Sequence, residues 1–365
     1  MNKTSLIKKN MAKLNLAVIF GGKSGEHEVS LKSASQVMTA LNPEKYNIIP
    51  IAITKGGNWL VGEKGKQYMA ENLSLAQQEG GVSLEQSQKL VEVAENNNFN
   101  FAQGSAGAKI DLVLPIAHGQ YVEDGKLQGM LDMLSVPYVF SGTLASALAM
   151  NKHKAKLMAK SVGVKIAKEV MVTKGKKYNA DKIIAKLNLP IVIKPVELGS
   201  SVGINIAKTK EELETGIQKA LEYGSEVLLE QFIKGRELTV AVFGNKSPKA
   251  FPITEIIPKI SGFYDYSAKY QDGGSEHVCP AKVPENIFKK AQKSAVKIFK
   301  AIGCVDLARA DFIWSESDGK LFFLEINTIP GMTATSLAPE AAKAAGMEFS
   351  DFLDKLIGEA LKRYK

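Results

Sequence analysis

The sequence predicts an α/β chain of more than one domain, turning to α+β toward its C-terminus. Three observations carry that expectation. Apolar runs at Leu16 to Phe20 and Ile48 to Ile53, and the strand Asp111 to Ile116, apolar after its first residue, read as strands of a parallel sheet. Helix-period stripes lie between and after them. Near the C-terminal end, Arg309 to Trp314 and Leu321 to Asn327 read as two strands joined by a turn. At 365 residues the chain has length for two or three domains with cores of their own.

Residues 1 to 13 read as a loose tail. After the first strand come Gly21-Gly22-Lys23-Ser24-Gly25 and Glu26-His27-Glu28-Val29-Ser30, then Ala34, Val37, Met38 and Leu41 at helical spacing. Strand, glycine turn and helix open a doubly wound α/β domain, in which ligands sit at the turn. Helix N-termini favour anions, yet two acids here, Glu26 and Glu28, point to an ammonium group. Acids complementing the helix dipole explain them equally well. From Glu63 to Lys109 the chain is polar and rich in Gln, Asn and Gly, an irregular or helical surface insertion with no assigned chemistry. The third strand ends at Ala117-His118-Gly119, so His118 is a site candidate, and a structural histidine is the equal alternative. Glu123-Asp124-Gly125 and a helix through Leu127, Met130, Leu131 and Leu134 follow, and the first domain ends around Ser141 to Met150.

Asn151 to Val162 reads as a basic helix, and Leu189 to Pro195 as a strand carrying Lys194 near its end. Gly199-Ser200-Ser201-Val202-Gly203 follows, ahead of a strand through Ile204 and Ile206. A strand lysine before such a loop holds phosphates from one side while loop N–H groups cover them from the other. The lysine precedes the glycines, so this is not a Walker loop, and a glycine-rich β-turn is the plain alternative. Val227 to Ile233 is a strand running into Lys234-Gly235-Arg236-Glu237, a segment suited to a hinge whose backbone reads an adenine edge. Leu238 to Phe243 is a further strand. Ser261 to Tyr270 holds three tyrosines with little periodicity, a long aromatic loop suited to a lid. Ile287 to Ile302 is an amphipathic helix. Thr328 to Thr333 is a tight loop leading to Ser336-Leu337 and a helix that ends near Gly346. Loop and helix start both offer N–H groups to an oxyanion or carboxylate. Phe352 to Leu361 is the last helix.

The hairpin carries the sharpest chemistry. Ser315 to Lys320 is turn sequence containing Asp-Gly. Side chains alternate along a strand, so Arg309 and Asp311 share one face and Glu325 and Asn327 share another. A pairing centred on Asp318 sets Asp311 opposite Glu325 and Arg309 opposite Asn327. Hard cations such as Mg²⁺ take such oxygens, completed by phosphate. A solvated edge hairpin is the alternative. Here, however, the charges interrupt an apolar run, and burying carboxylates without partners is costly.

Composition narrows the classes. Hydrophobic content of 45% and charged content of 23% are those of an ordinary soluble protein. The net charge of +9 gathers partly at the two ends, with no aromatic-interleaved basic stripe, so no nucleic-acid partner is expected. Cys279 and Cys304 lack metal-ligand spacing and read as thiols in a reducing compartment. The uncharged stretch Met133 to Asn151 is broken by Pro137 and Gly142, and the run Leu16 to Phe20 is too short for a signal-peptide core. A cytoplasmic protein with no membrane partner is expected.

Taken in order, these motifs closely resemble the D-alanine–D-alanine ligase family of the ATP-grasp superfamily. The matching pieces are Gly21 to Ser30, His118-Gly119 with Glu123-Asp124-Gly125, and Lys194-Pro195 with Gly199 to Gly203. They continue with Phe263 to Tyr270, Cys279-Pro280-Ala281, Arg309 to Phe312 and Glu325 to Thr333. They span residues 16 to about 347. One departure is Val122, where the family usually has glycine. The resemblance implies an ATP-grasp fold: an N-terminal doubly wound α/β domain (1–141), a small central lid domain (142–234) and a C-terminal catalytic, metal-binding domain (235–365). It implies ATP as co-substrate, two Mg²⁺ or Mn²⁺ ions, D-alanine as substrate, a homodimer, and a product used as a peptidoglycan precursor.

Residue by residue, Lys152 and Lys194 would bind ATP phosphates, with the loop that contains Ser201 closing on them. Phe263 and Lys269 of the lid would face the nucleotide, Lys269 reaching the transferring phosphate. Glu230 would take the adenine amino group, the backbone at Phe232 and Ile233 the ring edge, and Glu237 the ribose. Asp311, Glu325 and Asn327 would hold the metal ions. Glu28 would bind the first D-alanine's ammonium, linked to Ser200 and Tyr270, with His118 also at the substrate. Ser336 and the Leu337 amide would hold the second carboxylate. Arg309 and the Gly331 N–H would stabilise the oxyanion. The alternatives are a D-alanine–D-lactate or D-alanine–D-serine ligase, or a silent ATP-binding regulator. Tyr270, where D-lactate enzymes carry histidine, favours the dipeptide.

Overall fold

The computed structural model describes residues 12–77, 109–199, 203–259 and 273–365. The first unit contains β1 (Leu14–Gly21), α1 (His27–Ala40), β2 (Tyr46–Ile53), β3 (Trp59–Val61), α2 (Glu63–Gln77), β4 (Leu112–Pro115) and α3 (Lys126–Met133). Its sheet runs β3-β2-β1-β4, with β1 parallel to both β2 and β4. Leu16 to Phe20 are fully buried, as strands covered on both faces must be. At Gly21 (φ +86) a Cβ would lie 2.2 Å from the Ile53 carbonyl oxygen, so the turn out of β1 requires glycine. The polar stretch after Glu63 is helical as far as Gln77. Its Tyr68 is buried, with its hydroxyl 3.2 Å from His27 Nε2, so this helix braces the first turn. Val122, the departure noted above, is buried, and its carbonyl accepts from Gln128 Nε2 at 2.8 Å.

The middle of the chain gives α4 (Thr143–Met150), α5 (Lys152–Ser161), β5 (Glu169–Thr173), α6 (Ala180–Leu187), β6 (Ile191–Pro195), β7 (Asn205–Ala207), α7 (Lys210–Ala220) and β8 (Glu226–Gln231). The four strands form an antiparallel sheet in the order β5-β8-β6-β7. Asn179 and Thr209 cap α6 and α7, each side chain accepting an N–H of the first turn.

The third sheet is antiparallel, in the order β12-β11-β9-β13-β14, with β10 beside β9. It is built from β9 (Arg236–Phe243), β10 (Lys249–Ala250), β11 (Thr254–Pro258), β12 (Ser275–Val278), β13 (Leu307–Ser315) and β14 (Lys320–Asn327). Helices α8 (Glu285–Ile302), α9 (Leu337–Ala344) and α10 (Phe349–Arg363) complete the chain. Helices α4 and α5, expected to open the central domain, pack elsewhere. Ala145, Ala149, Ala155 and Ala159 of α4 and α5 are buried in the core of this third sheet, with Phe312 and Phe323. Small residues on one face let these helices lie close on β14, and they belong with the sheet they cover.

The last helix ties the ends of the chain together. Asp306 is fully buried, and its carboxylate accepts from Arg363 Nη2 at 2.7 Å, Asn245 Nδ2 at 2.9 Å and the Phe140 N–H at 2.9 Å. Burial pushes its carboxyl up to about 6, against the pull of Arg363. Folded Asp306 therefore holds a proton more tightly than unfolded Asp306, and its ionised form is the costly one. Arg363→Met is expected to lower stability by about 3–5 kcal/mol near neutral pH, because a buried charge loses its partner. Without Arg363 the Asp306 pKa rises further, so the loss should shrink as pH falls toward about 6 and be smallest below it, where Asp306 is protonated in both proteins. Chemical denaturation of both proteins at pH 7.5 and pH 5 measures this.

Candidate active site

The hairpin register places the acids as the sequence suggested, by a device the sequence did not announce. Arg309 pairs with Asn327 and Asp311 with Glu325. Nearer the turn, Phe312 pairs with Phe323 and Ser315 with Lys320, so Leu324 is the extra residue of a β-bulge. Had the register at the tip continued, Glu325 would lie opposite Ala310, which is fully buried in the core. The bulge turns Glu325 to the face of Asp311. Asp311 is buried and held on both oxygens: Arg309 Nε and Nη2 donate at 3.0 and 2.8 Å, and Thr239 Oγ1 donates at 2.5 Å. Lys152 Nζ stands 3.8 Å from Glu325 and donates to the Leu198 carbonyl.

Two concavities meet at Glu325. One is an apolar cleft between the central and C-terminal sheets. Val192, Ile206, Ile313, Phe322 and Leu324 form its walls, Phe232 and Ile233 its back, and Lys194, Glu230, Glu237, Asp311 and Glu325 its polar end. The segment after β8 crosses tightly there, since a Cβ on Gly235 would lie 2.2 Å from the Trp314 carbonyl oxygen. The other is a polar pocket lined by Glu26, His118, Glu123, His277, Arg309, Glu325, Asn327, Gly331, Ser336 and Leu337. The two together are shaped and charged for a nucleotide beside a small zwitterion.

Glu230 is buried between two lysines. Lys194 Nζ is 2.7 Å from Oε2, and Lys156 pairs with Oε1. Burial alone would raise the Glu230 carboxyl, but the two cations hold it down at about 2. The same carboxylate treats its partners unequally. For Lys156 the cost of burial prevails and lowers its pKa, whereas for Lys194 the attraction of Glu230 prevails and raises it. Lys156 was not singled out in the sequence, although it lies one helical turn beyond Lys152 on the same face.

The first helix turn corrects one expectation. Glu28 is not brought into the pocket: its side chain is 56% exposed and pairs with Lys55 at 2.5 Å. Partial burial would raise its carboxyl, but the Lys55 hydrogen bond and charge outweigh this and lower it. Residues two apart on a helix point to different faces, and the acid that reaches the pocket is Glu26, which is buried. A Cβ on Gly199 would lie 3.2 Å from Glu26 Oε2, so this carboxylate sits against the start of the Gly199 to Gly203 loop. His27 and Ser30 are structural. His27 Nδ1 bonds the Gly22 carbonyl at 2.8 Å, and Ser30 Oγ links the Gly21 N–H to the Ile116 carbonyl. Burial and the neighbouring Glu26 push the Glu123 carboxyl well above its ordinary range. Burial pushes the His118 imidazole down, and its Nε2 finds no hydrogen-bond partner among the described residues.

Ser336 precedes α9 but does not cap it. Its hydroxyl lies 2.7 Å from Thr333 Oγ1 and accepts the Thr333 N–H at 3.1 Å. The first N–H groups of α9, beginning at Leu337, therefore face the pocket side without that cap. A Cβ on Gly331 would lie 3.0 Å from Ser336 Oγ, so the loop backbone and the hydroxyl are close neighbours. Ser200, Ser201, Phe263, Lys269 and Tyr270 lie outside the described residues. Among the described residues no three of His, Cys, Asp and Glu cluster as a metal site on their own. Asp311, Glu325 and Asn327 supply an oxygen set that suits a hard divalent ion whose remaining ligands are phosphate or water.

Comparison with known proteins bears directly on this arrangement. Residues 15–141 match the family model for the D-ala D-ala ligase N-terminus, and residues 158–358 match that for the D-ala D-ala ligase C-terminus. A D-alanine–D-alanine ligase of Bacillus pumilus is 39% identical over 360 residues, covering 97% of each chain. The crystal structure of a D-Ala:D-Ser ligase from Enterococcus faecalis superposes with a TM-score of 0.76 at 35% identity, over 96% of this chain and all of that one. A D-alanine–D-alanine ligase from Bacillus anthracis complexed with ATP gives a TM-score of 0.71 at 28% identity, over 96% and 98% of the chains.

The lysine-flanked glutamate makes its own forecast. A carboxyl held at about 2, against 4.5 when unfolded, contributes stability that is full above pH 4.5 and lost as pH falls toward 2. Glu230→Gln is expected to cost about 3–5 kcal/mol at pH 7, since Lys156 is left buried without its counter-charge. The variant should also lose this share of the acid dependence between pH 5 and pH 3. Urea denaturation across that range reads both.

Proposed function

The chain belongs to the D-alanine–D-alanine ligase family, and on that premise we propose that the cleft and the pocket are the two halves of one active site. The protein is an ATP-dependent ligase that joins two D-alanines to D-alanyl-D-alanine for peptidoglycan precursor synthesis. The observation that carries the site reading is that Glu325 lines both concavities. A group leaving a nucleotide in one can be met there by an acceptor in the other.

ATP occupies the apolar cleft. Glu230, ionised between its lysines, accepts the adenine amino group, the backbone at Phe232 and Ile233 meets the ring edge, and Glu237 takes the ribose. Lys194 and Lys152 turn toward the phosphates, and Ser201, Phe263 and Lys269 close over them. Asp311, Glu325 and Asn327 would hold Mg²⁺ or Mn²⁺, two ions in all, which would supply charge neutralisation at the phosphates. In the pocket, Glu26 in place of Glu28 binds the ammonium of the first D-alanine, with His118 beside it and Ser200 and Tyr270 closing over it. The N–H groups at the start of α9, with Ser336, hold the carboxylate of the second.

The carboxylate of the first D-alanine is a poor electrophile, so it attacks the γ-phosphate and becomes an acyl phosphate. Closure of the lid keeps water from this intermediate. The amine of the second D-alanine then attacks the acyl carbon, Arg309 and the Gly331 N–H stabilise the oxyanion, and phosphate leaves. Arg309 is held for this by its fork on Asp311. A cytoplasmic homodimer completes the reading. Met133 and Leu144, 88% and 72% exposed, are apolar side chains available to a second copy. Among the described residues no helix is long and apolar enough to cross a membrane.

Phosphate release with ATP, Mg²⁺ and D-alanine, products identified by mass, tests the reading. D-alanine alone should give the dipeptide, and L-alanine should give nothing. The E. faecalis relative makes D-serine the acceptor to compare. Faster ligation of D-serine than of D-alanine would move the assignment to that class. Glu26→Gln should raise KM for D-alanine at least about 100-fold, the cost of leaving a charged substrate without its counter-charge. Glu28→Gln should leave KM near the wild-type value. The reverse pattern would restore Glu28 to the site.

A further inference from the structure

The polar pocket contains an imidazole that the roles above leave unused. His277 lies on β12 and lines the pocket beside Ser336 and Leu337. Its Nδ1 is 2.8 Å from Glu340 Oε2, on α9 one turn beyond Ser336. An ionised carboxylate only accepts hydrogen bonds, so Nδ1 carries the hydrogen and the neutral ring keeps its lone pair on Nε2. Ser275 Oγ, on the same strand face, lies 3.3 Å from Nε2. That contact is long, and a hydroxyl can rotate out of it. A histidine oriented by a carboxylate, with its other nitrogen an acceptor and its side chain on the substrate pocket, is the arrangement of a general base.

We propose that His277 is a catalytic residue that takes a proton from the incoming amine of the second amino acid, with Glu340 as its positioning residue. This rests on the ligase reading above. The second amino acid arrives as an ammonium ion, which has no lone pair to attack with. It gives one proton to His277 Nε2. The freed lone pair forms the C–N bond to the acyl carbon, and the acyl C–O bond breaks with its electrons going to the phosphate. The surplus proton on nitrogen leaves on that phosphate, giving amide, hydrogen phosphate and a protonated His277 that Glu340 stabilises. The place is the right one, because the α9 N-terminus that would hold the acceptor's carboxylate and the carboxylate that orients His277 are one turn apart on the same helix. Among the described residues, the other titratable groups facing the pocket are Glu26, His118, Glu123, Arg309 and Glu325, with Cys279 two residues beyond His277. Burial drives His118 toward its neutral form and away from carrying a proton.

The test compares two acceptors on the full-length enzyme with ATP, Mg²⁺ and D-alanine. One is D-alanine itself. The other is hydroxylamine, which is largely uncharged near neutral pH and needs no base to expose its lone pair. His277→Asn should lower kcat for dipeptide by about 100-fold or more, the usual share of a general base, and leave hydroxamate formation at the wild-type rate. The acidic limb of the pH profile for dipeptide formation should move to higher pH in the variant, where the acceptor ammonium must give its proton to solvent. Glu340→Gln should show the same selectivity with a smaller loss, about 10-fold. A His277→Asn enzyme that makes dipeptide at the wild-type rate overturns the proposal. So does one that loses hydroxamate in parallel, which marks a structural role, or one that changes only KM for the second D-alanine, which marks a carboxylate contact. If the wild-type enzyme forms hydroxamate but no dipeptide, it is the ligase reading that fails.

Discussion

Carboxylates crowd the centre of this molecule, and they can do so only because each is matched to a cation or a polar donor. Asp311 is gripped by Arg309, Glu325 stands near Lys152, and Glu230 lies between Lys156 and Lys194. Burying any of these acids alone would cost several kcal/mol. The pairing does more than balance charge. Lys156 is fully enclosed, so Glu230 keeps a lysine partner that solvent does not reach. Lysines and carboxylates that compensate one another in this way give the cleft an ordered polar end beside its apolar walls.

The backbone feature that makes this possible is one residue in size. The bulge at Leu324 shifts β14 by one position against β13, and that shift decides whether Glu325 faces the cleft or the core. Tip and base of the hairpin serve different needs. The tip pairs Phe312 with Phe323, which meet edge to face at 5.8 Å beneath α5 and α8, while the base pairs acid with acid. A regular hairpin satisfies only one of these registers.

How far the sequence could be read follows the same physics. Strands buried on both faces, the amphipathic helix α8 and the Asp311–Glu325 juxtaposition were legible, because each depends on local pattern or short-range pairing. The bulge was not, since a pairing drawn evenly about Asp318 reaches the same acids without it. Glu28 looked as suitable as Glu26, and only the direction in which the helix turns away from Gly25 separates them. Lys156 read as another surface lysine of a basic helix, for its burial depends on β14 and on Glu230, 74 residues away by number. His277 and Glu340 carry no motif, since what pairs them is the approach of β12 to α9. The buried alanines of α4 and α5 meet Phe312 and Phe323, a contact across more than 150 residues that local pattern does not give, so both helices were expected with the central sheet.

The central claim is that a carboxylate oxygen of D-alanine is transferred to phosphate at the junction beside Glu325. The most direct measurement is mass analysis of the phosphate formed from D-alanine labelled with ¹⁸O in its carboxylate. The account predicts one ¹⁸O in each phosphate released with a dipeptide. Unlabelled phosphate accompanying dipeptide formation would contradict it.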